Sequence, residues 1–210
     1  AASDVYKRQN DSHYYLVPGV IVTIMTMIGA LLTSLVMARE YERGTLESLF
    51  VTPVGSGEIL TAKAATNFLL GMVSLAISMV FAAFVFDIPI RGSLLLLLAV
   101  SALFLIVALG LGLVISTATK NQFLACQFAI MGTFMPALML SGFLYDILNM
   151  PPAVRAVTYL IPARYYVTLL QTLFLAGDIP SVIIPCCITL GVFAVVLMSI
   201  ARLKAPKSLE

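Results

Sequence analysis

The chain has 210 residues, of which 61% are hydrophobic and only 10% are charged, and its mean hydropathy is +1.06. Soluble domains of this size carry about 25% charged residues, so the composition excludes a water-soluble enzyme, a disordered tail and a basic nucleic-acid-binding domain. We predict an all-α, polytopic membrane protein that lies in a lipid bilayer and has no nucleic acid partner.

Five apolar stretches of the sequence are long enough to cross a bilayer as helices, since a hydrocarbon core of roughly 30 Å needs about 20 apolar residues. None of the five contains Asp, Glu, Lys, Arg or His, and ion-coupled transporters and voltage sensors normally need such groups inside the membrane. The predicted spans lie near 16–38, 64–86, 93–116, 123–144 and 181–201.

The connections between the spans differ in length and composition. Residues 39–63 are predicted to form a long polar loop, and 87–92 and 117–122 two short turns. The segment 145–180 is moderately apolar but is interrupted by prolines and arginines, which a straight span does not tolerate. We predict two short helices there, at 152–160 and 163–176, which dip into the membrane or lie on its surface.

Lys and Arg residues are unequally divided between the two sides of the predicted spans, seven against five. Because such residues favour the cytoplasmic side, we place the 39–63 loop and the C-terminus in the cytoplasm of a cell-membrane protein. Residues 1–13 are interpreted as a non-native leader or the end of a missing extracytoplasmic domain, 14–204 as the transmembrane domain and 205–210 as a cytoplasmic tail. The odd number of spans with an outside start indicates that an earlier span is missing.

The sequence contains no catalytic or metal-binding pattern. It lacks His-Glu-x-x-His, and the phosphate-binding pattern G-x-x-x-x-G-K-[ST] is also missing. We therefore expect no catalytic residue, no metal site and no cofactor in this chain. If the protein moves a solute uphill, the energy has to come from another polypeptide.

The first half of the polar loop has the pattern of a short amphipathic helix. Thr45 is a candidate N-cap, Pro53 ends the helix, and Leu46, Leu49 and Phe50 share one face. Such a helix either docks into a groove on a soluble partner or lies on lipid headgroups, and its periodicity does not separate these alternatives.

Small residues and methionines mark two further features of the spans. The glycines, among them Gly29, Gly112 and Gly132, are interpreted mainly as positions of close helix packing. Met131, Met135 and Met139 share one face of the fourth span, which suits either a dimer seam or a path for apolar molecules.

The polar loop resembles the signature of permease subunits of type-2 ABC exporters, the drug- and polysaccharide-export family. The matching residues are Arg39-Glu40, Glu42, Gly44-Thr45, Glu47, Leu49 and Thr52-Pro53. Glu58-Ile59-Leu60 with Lys63 is similar to the family's next block. A third block is Ser141-Gly142-Phe143, Asn149-Met150-Pro151-Pro152, Tyr159-Leu160-Ile161-Pro162 and Arg164-Tyr165.

The resemblance covers about 14–204 and implies a permease that works as a dimer, with itself or a homologue, and with two ABC ATPase subunits. ATP and Mg would be bound by the ATPase and not by this chain. The implied ATPase-coupling residues are Arg39, Glu40, Glu42, Arg43, Gly44, Thr45, Glu47, Leu49, Phe50 and Pro53. The implied outer-gate residues, on a re-entrant helix pair, are Asn149, Pro151, Tyr159, Pro162, Arg164 and Tyr165.

The family's permeases have six spans, so the five found here imply that the first is missing. The uncharged spans favour a lipophilic drug or lipid-like substrate that is moved outward. The alternative is an ATP-independent membrane protein, either a facilitator or channel or a structural assembly factor.

Overall fold

The computed structural model describes residues 16–44, 56–84, 92–142 and 150–204, and the regular elements in these ranges are all helical. Two of the long helices contain a π-helical segment, Met27–Leu32 and Ile130–Phe134, and a third π-helical turn, Thr172–Ala176, continues α6. In chain order the helices are α1 Leu16–Glu42, α2 Ser56–Phe84, α3 Leu94–Thr119, α4 Gln122–Leu140, α5 Pro152–Thr158, α6 Pro162–Gln171 and α7 Pro180–Lys204.

The five predicted spans are confirmed as helices, because α1, α2, α3, α4 and α7 are each long and apolar enough to cross a membrane. The predicted 39–63 loop is wrong at both ends. Helix α1 continues to Glu42 and α2 begins at Ser56, since Arg, Glu and Lys are good helix formers and extend a helix beyond its apolar part. Helix α4 ends at Leu140 and not at 144, and the chain turns at Gly142, whose φ is 88°.

Helix α3 is the centre of the bundle. It packs against α1, α2, α4, α6 and α7 and has the highest hydropathy of the five long helices. A helix that is apolar on all sides is expected to be buried by its neighbours. Phe104, Leu105 and Leu97 on α3 are among the largest fully buried side chains of the described residues.

The seam between α1 and α3 depends on close backbone approach. A Cβ atom at Gly112 would lie 2.7 Å from the Ala30 carbonyl oxygen and 2.9 Å from the Thr33 Cβ atom. The predicted packing role is confirmed here, and similar contacts are found at Gly29, Gly71 and Gly110. It is wrong for Gly132, where an added Cβ would meet nothing within 4 Å.

The segment before α7 contains the two short helices that its prolines predict, α5 and α6. Pro152 and Pro162 each occupy a first helical position, where the missing N–H costs no hydrogen bond. Helix α6 buries Tyr166, Leu169 and Leu170 against the bundle. That this pair re-enters the bilayer stays a prediction.

Candidate functional site

Two groups of polar residues join helices at opposite ends of the bundle. The Arg39 end is where α1 and α3 finish and α2 and α4 begin. The Tyr159 end contains α5 and the start of α6. Of the residues that the structure describes, the predicted coupling residues belong to the first end and the predicted gate residues to the second.

At the Arg39 end, the last turn of α1 is tied to the first residue of α4. The Arg39 Nε atom donates a hydrogen bond to the Gln122 Oε1 atom, at 3.3 Å. The Gln122 backbone N–H donates in turn to the Glu42 Oε2 atom, at 3.0 Å. Gln122 was not anticipated from the sequence, where the only signal is its position just after the Lys120-Asn121 turn.

A second charged contact joins α1 to α2. The Lys63 Nζ atom lies 2.6 Å from the Glu40 Oε1 atom, and both side chains are partly buried. Exposed ion pairs are usually worth less than about 1 kcal/mol, so this pair sets the relative position of the two helices more than it stabilises the fold.

Beneath these charges, buried contacts join α1 to the rest of the bundle. Met37, Ala64, Leu113 and Ala201 form an apolar cluster that draws one residue from each of α1, α2, α3 and α7. The buried Asn67 side chain donates from Nδ2 to the Thr33 Oγ1 atom, at 3.1 Å. Movement of the end of α1 would therefore displace its neighbours as well.

Gly44 lies where the described part of the Arg39 end stops. Its φ is 67°, in the left-handed region, and its N–H donates to the Tyr41 carbonyl oxygen at 3.3 Å. Glycine occupies this region without the penalty that other residues pay, so Gly44 redirects the chain after α1. Five of the predicted coupling residues lie outside the described residues and stay predictions: Thr45, Glu47, Leu49, Phe50 and Pro53.

At the Tyr159 end, three of the predicted gate residues are in contact. The Arg164 guanidinium lies over the Tyr159 ring, 4.0 Å from its centroid, and donates a hydrogen bond to the Thr158 Oγ1 atom. The Tyr165 hydroxyl donates to the Tyr159 carbonyl oxygen at 3.0 Å. These contacts make α5 and α6 a single hairpin.

The prolines predicted for the gate lie at helix starts and not in that contact group. Pro162 is the first residue of α6, and Pro151 precedes α5 and accepts a hydrogen bond from the Arg155 N–H at 3.0 Å. Asn149 lies outside the described residues.

Tyr166 anchors this hairpin to the centre of the bundle. It is fully buried, its hydroxyl donates to the Ser101 Oγ atom at 2.8 Å, and its ring stacks on Phe104 with centroids 4.1 Å apart. Sequence reasoning missed this anchor. The available signal was a serine, Ser101, inside the most apolar span.

The methionine face of α4 lies on the outside of the chain. Met131, Met135 and Met139 are 65%, 48% and 45% exposed. Phe128 continues the same apolar surface and is also exposed. No group of three or more His, Cys, Asp or Glu residues in the described ranges is placed to hold a metal ion.

Comparison with known proteins supplies a family. The family model described as ABC-2 type transporter matches residues 2–175. The chain is 47% identical over 199 residues to the probable multidrug ABC transporter permease YbhS of Escherichia coli K12, covering 95% of this chain and 53% of that protein. It is 31% identical over 173 residues to the probable multidrug ABC transporter permease YbhR of the same strain, covering 81% of this chain and 46% of that protein.

A third relative is the inner membrane transport permease YhhJ of Escherichia coli K12, which is 28% identical over 190 residues, covering 90% of this chain and 50% of that protein. The chain thus spans about half the length of the curated relatives it matches.

Proposed function

The chain belongs to the ABC-2 type transporter family, and we propose that it forms membrane-spanning helices of an ATP-driven exporter permease in the cell membrane. A separate ABC ATPase subunit would bind ATP and Mg and hydrolyse the nucleotide. The relatives are named as permeases, two of them as multidrug ABC transporter permeases. The described residues contain five helices of membrane-spanning length, which agrees with that role.

The distribution of charge supports a cytoplasmic Arg39 end. Two described Lys or Arg residues, Arg155 and Arg164, belong to the Tyr159 end. Six belong to the opposite end, and positive residues favour the cytoplasmic side of a membrane. Those six are Arg39, Arg43, Lys63, Lys120, Arg202 and Lys204.

The observation that carries the proposal is the set of contacts made by the last turn of α1. Arg39 and Glu42 contact the first residue of α4, and Glu40 contacts α2. When the ATPase pushes on the segment that follows Gly44, these contacts pass the movement to two further spans. The exposed Arg43 is left to face the ATPase.

The opposite end would act as the outer gate. The hairpin of α5 and α6 is held together by Arg164, Tyr159 and Tyr165, so it would move as one body when the spans tilt. A second permease copy or a homologue would cover the exposed methionine face of α4, because an apolar surface with adaptable side chains suits a helix partner.

The experiment that tests coupling is co-purification of the permease with its ATPase. Gly44→Pro forces φ to about −65° where the structure has 67°, and Glu47→Lys reverses a charge in the family signature. Both variants are expected to lose the ATPase. Arg155→Glu, a charge change at the Tyr159 end, is the matched control and is expected to keep it.

Three results would contradict the proposal. Retention of the ATPase and of transport by both coupling variants would remove the coupling role. Transport of a lipophilic dye that continues after ATP depletion would favour the facilitator or channel, and a stable complex without any transport would favour the assembly factor.

A further inference from the structure

The two helices that are joined at the Arg39 end, α1 and α4, are each interrupted by a π-helical segment, and the two segments pack against each other. They are Met27–Leu32 in α1 and Ile130–Phe134 in α4. In α4 the Met135 N–H donates to the Ile130 carbonyl oxygen, five residues back, and Pro136 follows directly. Sharp kinks of helices occur at such segments and at prolines. Helix α3, which packs against both helices, is an uninterrupted α-helix.

A buried threonine accompanies each π-helical segment. The Thr26 hydroxyl donates to the Val22 carbonyl oxygen at 2.7 Å, and the Thr133 hydroxyl donates to the Ala129 carbonyl oxygen. Hydroxyls that bond to the carbonyl four residues back weaken a helix slightly and often bend it. Both helices are therefore easiest to bend at the same level of the bundle.

On the Arg39 side of the segments, α1 and α4 are tied into one unit. The buried Ser34 hydroxyl donates to the Ala125 carbonyl oxygen at 3.3 Å. The two hydrogen bonds of Gln122 join the same helices at their ends. We call residues 33–42 and 122–129 the Arg39-side pair, since three hydrogen bonds hold them together.

On the Tyr159 side, both helices are held by the main apolar core. The large buried cluster takes Ala137 from α4 and four residues from α1, all of them before the π-helical segment: Val17, Ile21, Val22 and Met25. The separate four-residue cluster at the Arg39 end takes one residue from α1, Met37. The Tyr159-side halves, 16–26 and 135–140, are thus fixed by more apolar burial than the Arg39-side pair.

The closest contact between α1 and α3 lies at the π-helical segment. A Cβ atom at Gly29 would collide with the Ala108 Cβ atom, and one at Gly112 would lie 2.7 Å from the Ala30 carbonyl oxygen. Backbones that touch through small residues leave few long side chains to unpack when one helix rocks on the other. Helix α3 can therefore serve as the pivot.

The Arg39-side pair also has room to move. An open groove of about 500 Å³ separates α3 from α4 there. Ile115 and Thr119 line it on α3, and Phe128 lines it on α4. A swing of this half of α4 towards α3 would narrow the groove without displacing packed side chains.

We propose that α1 and α4 bend together at their π-helical segments, so that the Arg39-side pair swings on α3 while the Tyr159-side halves stay in place. The inference rests on the proposed coupling function, in which the ATPase pushes on the segment after Gly44. The Arg39 end then moves before the Tyr159-side halves tilt. Phe123 lies seven residues before Ile130, about 10 Å along the helix, so a bend of about 20° moves it by about 4 Å.

Spin-label distances measured by double electron–electron resonance test the bend. The full-length permease is placed in lipid nanodiscs, with its three native cysteines changed to serine and labelled copies diluted with unlabelled ones. Labels at Phe123→Cys on α4 or Val20→Cys on α1 are each paired with Val195→Cys on α7, and all three positions are exposed. We expect the Phe123–Val195 distance distribution to be wider than the Val20–Val195 distribution by about 4 Å.

Deletion of Met27 makes the test specific to the π-helical segments. A π-helical turn holds one residue more than an α-helical turn, so the deletion lets α1 continue as a regular helix. Because the Arg39-side pair is tied together, this change in α1 should narrow the Phe123 distribution on α4 to the width found at Val20. Met27→Ala keeps the length of α1 and is the matched control, with unchanged widths expected.

Equal widths of the two distributions in the undeleted chain would overturn the inference, and so would an unchanged Phe123 width in a folded Met27 deletion. If the deletion does not fold, the comparison of the two distributions decides alone. These measurements need no ATPase. Addition of the ATPase with a non-hydrolysable ATP analogue should then narrow the Phe123 distribution. A wide distribution that the ATPase leaves unchanged would contradict the coupling function and leave the bend standing.

Discussion

The two ends of the bundle are held by different kinds of contact. At the Arg39 end, polar contacts join residues 80 and 83 positions apart in the chain and connect α1 to α4. At the Tyr159 end, the polar contacts of Arg164 and Tyr165 reach only six residues back, within one hairpin. The buried face of α6, which includes Tyr166 and its hydrogen bond to Ser101, joins that hairpin to the bundle. The first arrangement distributes a movement over several helices through polar contacts, whereas the second keeps its polar contacts within one hairpin and holds that hairpin by apolar burial.

The largest effect is expected at the anchor. Tyr166→Ala removes a fully buried ring that stacks on Phe104, which should lower the free energy of unfolding by about 3–5 kcal/mol. Tyr166→Phe keeps the ring but loses the hydrogen bond to Ser101, which should lower the free energy of unfolding by about 1 kcal/mol. Unfolding by SDS in mixed micelles measures both. Equal effects of the two variants would mean that the ring does not anchor the hairpin.

The next effect is expected at the seam near the Arg39 end. Gly112→Leu places side-chain atoms against the Ala30 carbonyl oxygen and Thr33. This overpacking should lower the free energy of unfolding by about 2–3 kcal/mol. Gly191→Leu, at a position with open space, should cost little in the same unfolding measurement. If the two variants are equally stable, α1 and α3 do not depend on close approach.

A smaller effect is expected within the hairpin. Arg164→Gln removes the contact with the Tyr159 ring and weakens the contact with Thr158. This change should lower the free energy of unfolding by about 1 kcal/mol. Arg155→Gln changes an exposed side chain on the same hairpin and serves as the control. A thermal unfolding midpoint that falls equally for both would show that charge at this end matters and the ring contact does not.

The smallest effect distinguishes the two ends by their response to salt. A double-mutant cycle on Glu40→Gln and Lys63→Gln should give a coupling energy of about 0.5 kcal/mol. It should decrease as salt is added, because mobile ions screen partly exposed charges. The same cycle on Tyr166→Phe and Ser101→Ala should not change with salt. A salt-independent Glu40–Lys63 coupling would remove this difference between the ends.

The helices of the fold were largely predictable because the bilayer imposes a length and an apolar composition on each span. The short helices α5 and α6 were predictable because Pro152 and Pro162 favour helix starts. The ends of α1 and α2 were predicted wrongly, since a helix does not stop where its apolar part stops. The residues 39–42 and 56–63 stay helical beyond that point.

The candidate site was only half predictable. The resemblance to the family pointed to Arg39, Glu42, Arg164 and Tyr159, but their partners Gln122 and Thr158 were not predicted. A hydrogen bond between residues 83 apart depends on which helix ends meet, and no local pattern encodes that. Gly132 was misinterpreted for the same reason, because a small residue in a span packs closely only if another helix lies against it.

By itself the sequence determined the membrane class, the number of spans, the scarcity of charge within them and the clustered residues that resemble an ABC permease. These follow from composition and from patterns a few residues long. The tertiary structure alone decided that α3 lies at the centre, that Tyr166 anchors the hairpin and that no neighbouring atom lies within 4 Å of the Cβ position at Gly132. Each of these depends on the relative positions of helices that are far apart in the chain, and packing sets those positions.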